Sequence, residues 1–227
     1  MTSTEQKITL AGKCAPQQRI LSNIAEAGIE AVELYTDPQW LERLDEIKRV
    51  CEPFDFRWAI HAPNKGFQPE RLAELAQAID AEVMVFHCIY WEDEWARLVE
   101  AFDGVETTLC AENITTALES LPLMRRYGFG RCLDLEHVQL ECAGLNEEDF
   151  LPLIAESTHI HLTGYVHGGE LWHTHVHHSP EHGERVLRLV KKAGYSGMIV
   201  SEARARHQSL DEFRRLKAFV DECLARP

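Results

Sequence analysis

Eight of the twelve histidines in this 227-residue chain fall in the segment THIHLTGYVHGGELWHTHVHHSPEH, positions 158–182. Imidazole at that density points to metal, because the neutral ring is the commonest metal ligand among side chains. In extended backbone the side chains at i and i+2 share a face, so His173, His175 and His177 would project together at one ion. The competing reading is a solvated loop that is His-rich in composition only. Against it stands the rest of the chain, where ligand types recur. Glu33, His61, His87, Glu112, Asp134 with His137, His161 and Glu202 each lie at or near the end of a short apolar run. One His at a strand end is usually satisfied by a hydrogen bond, and one Glu is usually solvated. Packing gives no reason for consecutive strands to end this way, and aimed at one place such groups make a metal or acid–base site.

The elements that must position these residues follow from hydrophobic periodicity. Strands are predicted over Ile8–Cys14, Ala31–Thr36, Phe56–His61, Glu82–Ile89, Thr107–Asn113, Arg131–His137, Thr158–Thr163 and Met198–Glu202. Amphipathic helical patterns follow them, over Pro16–Ala27, Pro38–Cys51, Pro69–Ile79, Glu92–Phe102, Thr115–Tyr127, Glu147–Glu156, Glu181–Ala193 and Ser209–Ala225. Eight strands each followed by a helix predict an α/β fold, a single (β/α)8 TIM barrel spanning residues 1–227 as one domain. Its functional groups would sit on the carboxyl ends of the strands and in the loops beyond them. An open doubly wound sheet is the alternative, but the glycine-rich turn it would place after the first strand is missing from Ala11-Gly12-Lys13-Cys14-Ala15-Pro16. Cys110 and Cys132 each precede a candidate ligand by two residues, which puts them on the same face, one layer deeper in the barrel.

Composition narrows the partners. A formal net charge of −14 argues against a broad electrostatic footprint for nucleic acid or an anionic membrane. No apolar run reaches the eighteen residues a membrane span needs, and Met1–Lys7 does not read as a secretory leader, so a cytoplasmic protein is expected. The seven cysteines are odd in number and form no CxxC pair, which fits reduced thiols.

The motifs AIHAP at 59–63, VFHC at 85–88, CAEN at 110–113, CLDLEH at 132–137, HIHLTG at 159–164, HVHHSPEHG at 175–183 and GMIVSEAR at 197–204 occur in an order that resembles the xylose-isomerase-like TIM barrels. That superfamily includes endonuclease IV and the sugar isomerases and epimerases. The ligand pattern is most similar to the endonuclease IV branch, and the resemblance implies a three-metal site. His61, His87 and Glu112 would hold a first ion. Glu112 would bridge to a second, completed by Asp134, His161 and Glu202. His137 with His175 and His177 would hold a third, His175 standing where the family has aspartate; the pair His173/His175 is the alternative. His159 shares a face with His161 and is expected deeper in the core.

Charge chooses between chemistries. Three divalent ions against Glu112, Asp134 and Glu202 leave roughly +3, which suits an anionic substrate and a metal-bound hydroxide. One ion leaves about −1, which suits a neutral keto sugar on which Glu112 and Glu202 exchange a proton at carbon. His61, His87, His175 and His177 have no role in the one-metal scheme, so the leading expectation is a multinuclear hydrolase of a small or sugar-phosphate phosphoester. Zinc is the expected metal, with manganese or iron as alternatives. Glu112, Glu202 and His137 are the expected catalytic groups, and Arg204, Trp91 and Trp172 the expected substrate contacts. A one-metal sugar isomerase or epimerase and a non-catalytic metal-binding protein are the alternatives. DNA cleavage is not expected, because no stretch interleaves clustered basic residues with aromatics.

Overall fold

A strand rich in β-branched and aromatic residues must cover both its faces, and a parallel strand does so with the core inside the sheet and a helix outside. The computed structural model describes residues 7–137, 147–164 and 173–226. Its strands are β1 (Thr9–Cys14), β2 (Ala31–Tyr35), β3 (Arg57–His61), β4 (Ala81–His87), β5 (Thr108–Glu112), β6 (Gly130–Asp134), β7 (His159–Leu162) and β8 (Met198–Ser201). Each pairs in parallel with its sequence neighbours, and β8 returns to β1 to close the barrel. The outer layer holds α1 (Gln18–Glu26), α2 (Pro38–Leu41), α3 (Leu44–Cys51), α4 (Pro69–Ala78), α5 (Glu92–Ala101), α6 (Leu121–Tyr127), α7 (Leu151–Ala155), α8 (Pro180–Lys192) and α9 (Leu210–Ala225). The predicted (β/α)8 barrel is the observed fold.

The helices depart from expectation where side chains compete for backbone groups. The predicted helix 115–127 begins only at Leu121, because the Glu119 carboxylate accepts the backbone N–H groups of Ile114, Thr115 and Thr116 and holds that stretch as a loop. The predicted helix 38–51 is two helices. Asp37 caps the first by accepting from Trp40 N at 2.8 Å, and Arg43 leaves the helical region before the second begins. Strand β6 stops at Asp134, and residues 135–137 are already helical, which takes His137 off the strand.

Two hydrophobic layers result. The larger lies between strands and helices. The smaller fills the barrel with Ala11, Ala31, Ala59, Val83, Val85, Cys110, Cys132, Met198 and Val200. Because side chains alternate along a strand, the residue two further on points the same way. Above Ala11 comes Lys13, above Ala31 Glu33, above Ala59 His61, above Val85 His87, above Cys110 Glu112, above Cys132 Asp134, above His159 His161 and above Val200 Glu202. A floor that is apolar except for His159 thus supports a tier made wholly of ionisable groups. Cys110 and Cys132 occupy the deeper layer expected of them.

Candidate metal centre

The ionisable tier is nearly closed to solvent. Glu33, His161 and Asp134 are fully buried, and Glu112 and His61 are 1% and 2% exposed. Glu112 lies at the middle of one group: His61 Nε2 stands 2.8 Å and His87 Nε2 3.0 Å from its Oε2. Its other oxygen is 3.1 Å from His161 Nδ1, which also lies 3.3 Å from Glu202 Oε1 and 4.0 Å from Asp134 Oδ2. The far nitrogen of His161 is 3.0 Å from Glu33 Oε2, and Glu33 also takes His159 Nε2 at 2.8 Å. Lys13 closes the ring as an ion-pair partner of both Glu33, at 2.9 Å, and Glu202. The donor atoms of Glu112, Asp134, His161 and Glu202 lie within 4.8 Å of one another, and so do those of His61, His87 and Glu112.

Three observations fit this tier to a cation. His61 Nδ1 is 2.8 Å from the Ala62 carbonyl, which can only accept, so the ring proton is on Nδ1. Burial, then the Lys13 charge, lower the His61 pKa to about 4, leaving a neutral ring whose bare Nε2 faces a carboxylate oxygen. Two lone pairs at that distance call for a positive charge beside them. Second, Asp134 Oδ2 is buried with no hydrogen-bond partner among the described residues. The rest of Asp134 is fixed: its N–H donates to Asn113 Oδ1 at 2.8 Å, Asn113 Nδ2 donates to its carbonyl, and its Oδ1 accepts from His137 N. Third, His161 can turn Nδ1 to the three carboxylates while donating from Nε2 to Glu33, the arrangement by which proteins orient a ligating imidazole.

Charge within the tier is set by the same contacts. Burial alone would raise the Glu112 pKa, but His161 and the hydrogen bonds donated by His161 and His87 hold it well below the ordinary carboxylate range. Burial likewise opposes a charged His161, and Cys132, Glu33 and Glu112 more than offset it, so its pKa is held well above the ordinary histidine value. Asp134 is pushed up, by burial first and by Glu112 second. The contacts around His161 therefore favour positive charge at this point of the pocket.

The tier opens into a cavity of about 600 Å3, to which Tyr35, His137, His173, Arg204 and Gln208 contribute walls. His137 Nδ1–H donates to the Asn113 carbonyl at 2.8 Å. His173 has a left-handed backbone (φ 50°), rare for a residue with a Cβ, and its Nδ1 lies 3.5 Å from Glu136 Oε2 and 3.9 Å from Glu202 Oε2.

The structure brings His61, His87, Glu112, Asp134, His161 and Glu202 to one place and sets His137 and Arg204 on the wall above them. It does not bring His175 and His177 to His137. Residues 176–178 form a 3-10 turn, so alternate side chains do not share a face there. His175 is fully buried, its Nδ1 accepting from Ser201 Oγ at 2.8 Å and its Nε2–H donating to the His207 carbonyl at 2.9 Å, which leaves neither nitrogen for a metal. Trp91 is 78% exposed at the start of α5 and is not part of the cavity wall. Trp172 lies outside the described residues. Sequence reasoning passed over Lys13, although its spacing from Ala11 was the signal, and it left Glu33 undecided.

No protein-family model and no curated protein matches the chain. Solved structures resemble it over nearly its whole length. A D-tagatose 3-epimerase-like protein aligns over 95% of this chain and 97% of its own, with 17% identity and a TM-score of 0.66. A D-allulose 3-epimerase from Methylomonas sp., in complex with D-allulose, aligns over 96% and 97%, with 13% identity and a TM-score of 0.69. Phosphoribosyl anthranilate isomerase from Thermotoga maritima aligns over 94% and 99%, with 12% identity and a TM-score of 0.60. At such identities these likenesses establish architecture, and the chain is a (β/α)8 TIM barrel built like the D-tagatose and D-allulose 3-epimerase barrels.

Proposed function

We propose that this protein is a metal-dependent epimerase or isomerase of a small keto sugar, with one divalent ion held by Glu112, Asp134, His161 and Glu202. The observation that carries the reading is the convergence of those four donor sets at the floor of the cavity, with Glu112 and Glu202 both against the same His161 nitrogen. The likeness to 3-epimerase barrels supports it. When bound, the ion would polarise the carbonyl and neighbouring hydroxyl oxygens and so acidify the C–H between them. One carboxylate then removes that proton and the other returns it, inverting the carbon when they act from opposite faces of the substrate.

The remaining residues have roles in this scheme. Lys13 and Glu33 cancel in charge, so one divalent ion against the other three carboxylates leaves about −1, matched to a neutral polyol rather than to a phosphate. His61 and His87, which had no place in the one-metal scheme on sequence grounds, bind substrate hydroxyls from the Glu112 side. His137, His173 and Arg204 contact the far end of the sugar. The hydrolytic reading needed His137, His175 and His177 around a third ion, and His175 has both ring nitrogens committed elsewhere.

The test is solvent exchange. The untagged chain, loaded with manganese, cobalt or zinc, is incubated in D2O with D-allulose, D-tagatose, ketopentoses and their phosphates, and deuterium at the carbon beside the carbonyl is followed by NMR. Exchange with formation of the epimer is expected, lost in Glu112→Gln and Glu202→Gln. His61→Ala should keep the cavity ion and lose turnover at least about tenfold. A metal-loaded chain that exchanges no carbon-bound proton in any of these sugars would refute the proposal.

A further inference from the structure

A second cluster of ligand types lies away from the cavity, where three segments meet. His177 and His178 come from the 3-10 turn Val176–His178 that follows β7, His207 from the 3-10 turn Ala205–His207 that follows β8, and Glu212 from the first turn of α9. Glu212 Oε2 is the common point: His178 Nε2 lies 2.6 Å from it, His177 Nε2 3.4 Å and His207 Nδ1 3.7 Å. Donor atoms of His177, His178 and Glu212 all fall within 4.8 Å of one another, and none of these residues belongs to the groups around Glu112. Among the described residues Arg215 is the one Lys or Arg paired with Glu212, 3.6 Å from the other oxygen, which leaves Oε2 to the imidazoles.

Hydrogen bonding does not account for the cluster. Both ring nitrogens of His177 are buried without a hydrogen-bond partner among the described residues. Two unsatisfied polar atoms on one buried ring are costly, and a missing water or ion is a usual cause. A tetrahedral ion with bonds of about 2.0–2.1 Å holds its donor atoms about 3.3 Å apart. His177 Nε2 and Glu212 Oε2 already stand at 3.4 Å; the His178 contact must open by roughly 0.7 Å as its proton leaves.

We infer that His177, His178 and Glu212 form a second metal site, with His207, which stands outside that 4.8 Å group, turning its Nδ1 inward as the fourth ligand, selective for a nitrogen-preferring divalent ion of the zinc class. Ligation through Nδ1 puts the His207 proton on Nε2, so the exposed Arg206, whose Nε now donates to that atom at 3.0 Å, turns to solvent. The site is structural. It clasps the segments after β7 and β8 onto α9, and those segments carry His173 and Arg204 to the cavity wall, joined to each other by the Arg204 N–H to His173 carbonyl bond of 2.9 Å. Buried His175 braces the same junction from below through Ser201 and the His207 carbonyl.

The test removes the cavity site first. An untagged full-length Glu112→Gln/Asp134→Asn chain, stripped with chelator, is titrated with Co(II) and then Zn(II). One Co(II) per chain with the strong visible absorption of a tetrahedral ion is expected, displaced by one Zn(II) that raises Tm by several degrees. Adding Glu212→Gln or, separately, His178→Ala should weaken binding at least 100-fold, with folding checked by circular dichroism and urea titration. Absence of stoichiometric binding in the double variant, octahedral Co(II) only, or affinity unchanged by Glu212→Gln and His178→Ala would each overturn the inference. Because two of the four cavity ligands are already gone and the readout is lost on Glu212→Gln and His178→Ala, failure of the sugar epimerase reading would leave this result untouched.

Discussion

Replacing Lys13 by methionine tests the electrostatics of the barrel mouth directly. Among the described residues the ammonium is the only Lys or Arg ion-pair partner of either Glu33 or Glu202, and the three side chains are 12%, 0% and 12% exposed. Methionine keeps the apolar stem but takes the ammonium from two buried carboxylates, which then share His161 as their remaining positive neighbour. Removing one partner from a buried pair costs about 3–5 kcal/mol. Some of that is recovered if a carboxylate takes up a proton, so the loss should be largest at pH 8. For a chain of this size about 3 kcal/mol corresponds to a fall in Tm of roughly 6–12 °C. The assay is urea and thermal unfolding in EDTA and again in saturating manganese, where a divalent ion replaces the missing charge and should close most of the gap. A Lys13→Met chain within about 0.5 kcal/mol of wild type in EDTA would refute the assignment of Lys13 as the counter-charge, since that is the scatter of an ordinary surface substitution. An equal loss with and without metal would show that the ion does not bind among these carboxylates.

Asp134→Asn should keep the fold, because Asn113 pairs with the backbone of residue 134, and should weaken metal binding in the cavity at least about 100-fold by elemental analysis after dialysis. Gly164→Ala should destabilise by about 1–3 kcal/mol in urea, since the new Cβ would press on Thr174 Oγ1 and lie 2.6 Å from the His175 carbonyl across the Gly164–Thr174 bridge. His175 has its pKa lowered to about 4, by burial first, so the unfolded chain binds more protons below pH 6.5 and folding stability falls as pH drops from there toward 4. The full effect is about 3 kcal/mol, absent above neutrality, and His175→Asn should flatten that part of the stability–pH curve measured in EDTA.

The barrel was legible because its signal is local. Short, mostly apolar runs such as Ala81–His87 announce themselves within a few residues. The grouping of His61, His87, Glu112, Asp134, His161 and Glu202 followed from the same alternation once the strands were placed. Where the reading of the His-rich segment went astray, the deciding contacts were distant. The i, i+2 rule holds only in extended backbone, and the fate of His175 is set by Ser201 on β8, the His207 carbonyl and the Phe213 ring 5.4 Å away on α9. No local pattern carries that information. Lys13 was passed over because lysine is almost never buried unless paired, and its partners lie 20 and 189 residues away in sequence.

The two-tier lining of the barrel has a consequence for how such a protein can change. Every donor to the proposed cavity ion stands on a strand or the residue directly after one, over a floor that is apolar except for His159, and the cavity wall is supplied largely by segments beyond the strands. Exchange of those segments by insertion, deletion or grafting would alter what fits above the tier without moving the groups that do the chemistry. The chain is therefore a good recipient for transplanted loops, and reshaping its specificity should call for few compensating changes inside the barrel.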